Sequence, residues 1–148
     1  MIAPEQVGER YLAVHRRMLR AVNGQMSECG LSMARTKVLM RLRERGPTRQ
    51  SVLAADLGLS PHSITDIVDG LERLGMAERR PDPTDRRAKL VAITDAGLAG
   101  LDVANATRQR LLTHIFGALS EEDRATLLRL LDGLDEAAQQ LIAPPVPA

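Results

Sequence analysis

Gly58 separates two short segments whose apolar residues repeat at helical spacing. Counted from Gln50 it is the ninth residue of a run in which Ala54 is fifth, Ile64 fifteenth and Ile67 eighteenth. Each position has a steric reason. A small residue at Ala54 lets two helices cross closely, glycine supplies the left-handed backbone of a tight turn, and the isoleucines seat the second helix so that its opposite face stays free. Ser60 and Pro61 add a serine N-cap and then a proline at the first helical position. The pattern predicts a helix-turn-helix: a short third helix capped by Thr48 and running through Leu57, then a fourth from Pro61 to about Leu74, stopped by Gly75.

The segment after Gly75 is not helical. Pro81 and Pro83 stand two residues apart, which excludes a helix there. Met76–Arg80 and Lys89–Ile93 read as short extended segments on either side of Pro81–Asp85, giving a β-hairpin with a polar, basic tip. A helix-turn-helix with such a wing is a module for duplex DNA.

The flanks are long amphipathic helices. Val7, Tyr11, Val14, Met18 and Val22 predict a first helix from Glu5 to about Ser27, broken at Glu28-Cys29-Gly30. Ser32 caps a second helix that Gly46-Pro47 ends. Thr94 caps a fifth, and Ser120, with Asp123 three residues on, opens a sixth along Leu127, Leu131, Leu134, Ala138 and Leu141. The tail, residues 143–148, is too proline-rich to continue it and is expected to be disordered. The predicted fold is mainly α: a winged helix-turn-helix over about 35–94 with a small β-hairpin wing, and long helical flanks over 1–34 and 95–142, in a single domain of 148 residues.

Composition narrows the function. Apolar runs are too short to span a bilayer and the N-terminus does not read as a secretory signal, so a cytoplasmic protein without membrane partners is expected. One cysteine, Cys29, provides neither an internal disulfide nor a thiolate cluster. Tyr11 and Phe116 are the only aromatic residues, too few for stacking single-stranded bases. His15, His62 and His114 are scattered and do not predict a metal site. No phosphate loop, HExxH or GxSxG motif is present, so neither an enzyme nor a cofactor is expected. The net charge of +1 hides an asymmetry: residues 35–92 hold 12 basic and 8 acidic residues, and residues 93–148 hold 4 and 8. A basic centre beside an acidic end suits a polyanion-binding module joined to a segment with another task.

The candidate DNA contacts follow from this layout. Arg49 and Gln50 open the third helix. Ser60, Pro61, His62, Ser63, Thr65 and Asp66 form the start of the fourth, the end by which a recognition helix usually enters the major groove, and Arg73 lies further along its outer face. Arg79, Arg80, Arg86, Arg87 and Lys89 surround the wing tip, where a narrow minor groove favours arginine, and Arg79, Arg86, Arg87 and Lys89 are the candidate contacts among them. Asp85, two residues before Arg87, is placed to hold that guanidinium.

The stretch from Leu71 to Thr94, LERLGMAERRPDPTDRRAKLVAIT, resembles the signature of the MarR family of bacterial transcription regulators, with its L-E-x-x-G, R-x-x-x-P-x-D-x-R and L/I-T elements in order. The resemblance extends over nearly the whole chain. It implies a homodimer in which the first, fifth and sixth helices interlock, two winged lobes spaced for half-sites about 34 Å apart on a pseudo-palindromic operator, and repression relieved by a small molecule. It also implies that Arg87 is the wing-tip arginine and Asp85 its orienting partner. Asp66 departs from the pattern, since many members carry a basic residue there.

By the same resemblance, a small aromatic or phenolic effector would enter a cleft lined from the first, second and fifth helices, with Tyr11, His15, Met18, Met33 and His114 as candidate contacts. Some relatives sense peroxide through a reactive thiol, which makes Cys29 a redox candidate, although it lies past the end of the first helix rather than near its start. A rival reading is a winged-helix protein-interaction module with weak or no DNA binding, favoured by Asp66 and Asp69 and opposed by the basic wing.

Overall fold

The structure, a computed structural model, describes residues 1–142. The proline-rich tail, and with it the expectation of disorder there, lies outside the described residues. Among the described residues six helices and three short strands run in the order α1 (Pro4–Glu28), α2 (Met33–Arg45), β1 (Thr48–Arg49), α3 (Gln50–Leu57), α4 (Pro61–Arg73), β2 (Ala77–Asp82), β3 (Asp85–Ile93), α5 (Asp95–Phe116) and α6 (Glu121–Ile142). The chain forms two compact units, Met1–Gln109 and Arg110 onward.

Local chemistry sets most boundaries. The Ser32 hydroxyl accepts from the Arg35 N–H at the start of α2, and that of Ser60 accepts from Ser63 N–H at 3.0 Å at the start of α4. Gly58 ends α3 in the left-handed conformation, φ 63° and ψ 35°, which a side chain would resist. Thr94 accepts from Gly97 N–H at 3.1 Å and donates to the Gly75 carbonyl at 2.6 Å, so one hydroxyl caps α5 and ties it to the turn after α4. Ser120 caps α6 by accepting from Asp123 N–H at 3.1 Å.

The start of α3 and the ends of the wing strands differ from expectation. Thr48 does not cap α3. It lies in a two-residue strand, paired antiparallel with Val91, while Arg49 pairs with Leu90. The Thr48 hydroxyl donates to the Gly46 carbonyl instead. The sheet order is β1-β3-β2, so the wing is anchored through β3 to the residues that start α3. The strands also run closer to the tip than Pro81 suggests, since proline at a strand edge forfeits only one N–H.

The first unit's core gathers Val38, Leu39 and Leu42 of α2, Leu53 and Ala54 of α3, Ile64, Val68 and Leu71 of α4, Val91 of β3 and Leu101 of α5, all buried. Each large aliphatic side chain buried there contributes about 1.5–3 kcal/mol. On α4 the inner stripe is Ile64, Val68 and Leu71, spaced four and three, whereas Ile67 is half-buried and shares the anchoring role expected of it. In the second unit α6 has no buried residue, and Leu128, Leu130, Leu134, Leu141 and Ile142 are exposed.

Candidate nucleic-acid interface

Because Ile64, Val68 and Leu71 face inward, α4 presents its first turn to solvent. Pro61, His62 and Asp66 are exposed there, Ser63 and Thr65 half-exposed, and Arg73 is exposed near the other end. The hydroxyl of Ser60 donates to that of Ser63 at 2.9 Å, and His62 Nε2 lies 3.3 Å from Asp66 Oδ2. Thus the carboxylate that departs from the family pattern has an imidazole beside it.

In the wing, Arg86, Arg87 and Lys89 are exposed, and none forms an ion pair among the described residues. Asp85 does not grip the Arg87 guanidinium. Its Oδ1 accepts from the Arg87 backbone N–H at 3.0 Å, and its other oxygen faces Arg49 Nη2 at 3.7 Å. A carboxylate two residues upstream in a turn meets the backbone before it meets a long side chain. Asp85 therefore shapes the loop under Arg87.

Arg79, Gln50 and Arg49, all expected as DNA contacts, are held by side chains within the protein. Arg79 points back at α4, where its guanidinium pairs with Asp69 at 2.7 Å and with Glu72, and also donates to Gln50 Oε1 at 3.1 Å. Burial draws its pKa down, but the two carboxylates outweigh that and leave it raised. Gln50 in turn donates to the Thr65 hydroxyl. Arg49 donates from Nε to Asp82 Oδ2 at 2.8 Å, with Nη2 at 2.7 Å from the same oxygen. Asp82 Oδ1 accepts the Thr84 N–H at 2.9 Å and the Thr84 hydroxyl at 2.8 Å. These bonds to Thr84 and Arg49 hold the Asp82 carboxyl at about 2, below its ordinary 3.8. Asp82, passed over in the sequence, is buried at the wing turn.

The geometry is that of a capped helix with an exposed polar first turn beside a hairpin whose tip cations are free. A family model described as the MarR family matches residues 31–89, the segment from the start of α2 to the second strand of the wing. The HTH-type transcriptional repressor NicR of Pseudomonas putida is 28% identical over 127 residues, covering 86% of this chain and 80% of its own. Wild-type MarR from E. coli in its apo form superposes with a TM-score of 0.72 at 27% identity, over 90% of this chain and 98% of its own. The chain is thus similar to MarR-family proteins, by the family model over residues 31–89 and by fold over most of its length. A cysteine-to-serine mutant of E. coli MarR, solved in complex with operator DNA, superposes with a TM-score of 0.68 at 27% identity, over 86% of this chain and 92% of its own. The winged lobe described here is thus similar in sequence and fold to the MarR-type lobe.

The remaining candidates separate. A cleft of about 250 Å³ lies between α1, α2 and α5, lined by Met26, Met33, Thr36, Lys37, Met40, Asn105 and Arg108. Of the expected effector contacts only Met33 lines it. Tyr11 and His15 stack on each other along α1, ring centroids 5.9 Å apart; Met18 is half-buried on that helix and His114 is exposed in the second unit. Sequence reading missed Lys37 and Arg108, because cations on a helix read as solvated until another helix is seen beside them. Cys29 is exposed at the C-terminal cap of α1.

Proposed function

We propose that this chain is a sequence-specific transcriptional repressor of duplex DNA that acts as a homodimer on a pseudo-palindromic operator. The observation that carries the reading is the pairing of an exposed, serine-capped α4 terminus with free Arg86 and Arg87 on the adjoining wing. His62, Ser63, Thr65 and Asp66 meet base edges in the major groove, and the wing arginines enter the minor groove. The names of NicR as a repressor and of the operator-bound MarR mutant support it. Exposed Leu128, Leu130, Leu134 and Leu141 on α6 support self-association, since a helix with no buried residue needs apolar cover.

The cleft lined by Lys37 and Arg108 is the effector site in this reading. Three methionines supply an adaptable apolar wall, the two cations favour a carboxylate or phenolate, and about 250 Å³ is room for a single-ring molecule. Such an effector lowers DNA affinity only by binding the DNA-free arrangement better. The interaction-module alternative loses weight, because Asp69 is paired with Arg79 and Asp66 lies against His62.

Selection of duplexes from a random pool by the purified protein, and then fluorescence-anisotropy titration at two salt concentrations, tests the proposal. A recovered pseudo-palindrome bound far more tightly than its scrambled control is expected, with release by small aromatic acids. Recovery of no preferred sequence by a folded, dimeric protein would overturn it.

A further inference from the structure

We propose that Arg49 is a positioning residue for the wing: from the strand that starts the helix-turn-helix it grips Asp82 at the wing turn and fixes the segment that carries Arg86 and Arg87. This rests on the reading of the winged lobe as a DNA-binding surface.

The sheet cannot hold that segment by itself. β1 pairs with β3 only at Val91 and Leu90, at the base of the wing. Beyond them β3 has only β2 as a neighbour, and an isolated two-stranded ribbon twists readily and is marginal in water. The β2–β3 register then shifts: Pro81 opposes Lys89, but the next residue, Asp82, opposes Asp85. Arg86, Arg87 and Ala88 are left without partners on β2. The two cations at the tip therefore sit in a bulge where the ladder constrains them least.

Asp82 closes that bulge from one side, and Arg49 is what Asp82 is fastened to. Since β1 and β2 lie on opposite edges of the sheet, the Arg49 side chain crosses β3 to make its two contacts with Oδ2. The other oxygen takes both bonds from Thr84, so the carboxylate is fully satisfied on the inside. Arg49 Nη2 also faces Asp85, whose Oδ1 holds the Arg87 N–H. One guanidinium thus addresses both acids that frame the bulge, and its planar fork suits that task better than an ammonium would.

The test uses the full chain, a duplex selected by the wild type from a random pool, and four variants: Arg49→Gln, Asp82→Asn, their combination, and Arg49→Gln with Arg87→Ala. Removing either partner of a charge-assisted hydrogen bond is expected to weaken binding by about tenfold. The combined Arg49 and Asp82 variant is expected to be no weaker than either single one. Arg87→Ala is expected to cost less in the Arg49→Gln background than in the wild type, because the tip is already displaced. Asp82→Asn binding as tightly as the wild type, or more tightly, would overturn the proposal, since Arg49 would then be a phosphate contact that Asp82 merely restrains. Recovery of wild-type affinity in the combined variant would overturn it too, reducing the pair to charge neutralisation. Circular dichroism melts establish that each variant is folded. Should Arg49→Gln unfold, Arg49→Lys decides: wild-type affinity with lysine would show that charge alone suffices. If the wild type selects no duplex, the DNA-binding reading fails; if it selects one and the variants do not move, only the role of Arg49 fails.

Discussion

The Gln50 side chain of α3 donates to the hydroxyl of Thr65 on α4 at 2.6 Å, and that hydroxyl donates to the Pro61 carbonyl at 2.8 Å. Its single hydrogen is therefore committed, and the methyl group is the part of Thr65 without a partner in these bonds. Thr65→Val keeps the methyl and removes the link between the helices. It is expected to lose about 1 kcal/mol of stability in urea titration while retaining the base preference. Loss of that preference would show that the hydroxyl reads DNA directly.

Arg79 and Arg87 look alike in sequence and are predicted to behave oppositely. Arg79 is held by Asp69 and Glu72. Arg79→Met is expected to cost about 2 kcal/mol of stability, within the range for losing hydrogen bonds to charged groups. The salt dependence of DNA binding should hold its slope. Arg87→Ala is expected to leave the urea midpoint unchanged, weaken binding to all duplexes and reduce the salt slope by about one. Interchanged outcomes would reverse the two assignments.

Much of the winged lobe was legible in sequence because its signals are local. Ser32, Gly58, Ser60-Pro61 and Thr94 act within one helical turn, and the inward stripe of α4 is a period of 3.6 residues. Thr48 and Arg49 were not legible as a strand. Two residues make one only because Val91 and Leu90, distant in the chain, pair with them. The same distance hid the fates of Arg49 and Arg79, counted among free cations. One clue was available for Arg79: Asp69 and Glu72 lie three apart on α4, one helical turn, with the returning β2 due to pass them.

The Asp82 carboxyl ionises at about 2 in the fold against an ordinary 3.8. A lowered folded-state value stabilises the protein fully above about pH 4, and that contribution declines as pH falls and is gone below about 2. Asp82→Asn never has it. The gap in urea midpoint between wild type and Asp82→Asn is therefore expected to be constant above about pH 4 and to close toward about pH 2. A gap that persists at the acid end would mean that the Arg49 contact does not depend on the charge of Asp82.

Gly97 is closely hemmed in. A Cβ there would collide with the Met76 carbonyl oxygen and stand 2.7 Å from Ile93 Cγ1. Gly97→Ala is expected to destabilise by about 1–3 kcal/mol through overpacking, loosening the junction where Thr94 joins α5 to the turn at Gly75. At Gly58 nothing crowds a Cβ, and alanine meets only the left-handed backbone, at a cost of about 1 kcal/mol. Urea titration of the two variants separates the mechanisms, and a larger loss at Gly58 would contradict both.

The stack of Tyr11 on His15 places the chain's only tyrosine on α1, and the chain has no tryptophan. Ultraviolet emission from this protein consequently reports on the N-terminal half of one helix and leaves the winged lobe dark. A tryptophan introduced beside the wing would light a second, independent window, so that events at α1 and events at the DNA-facing surface could be timed separately in a single sample.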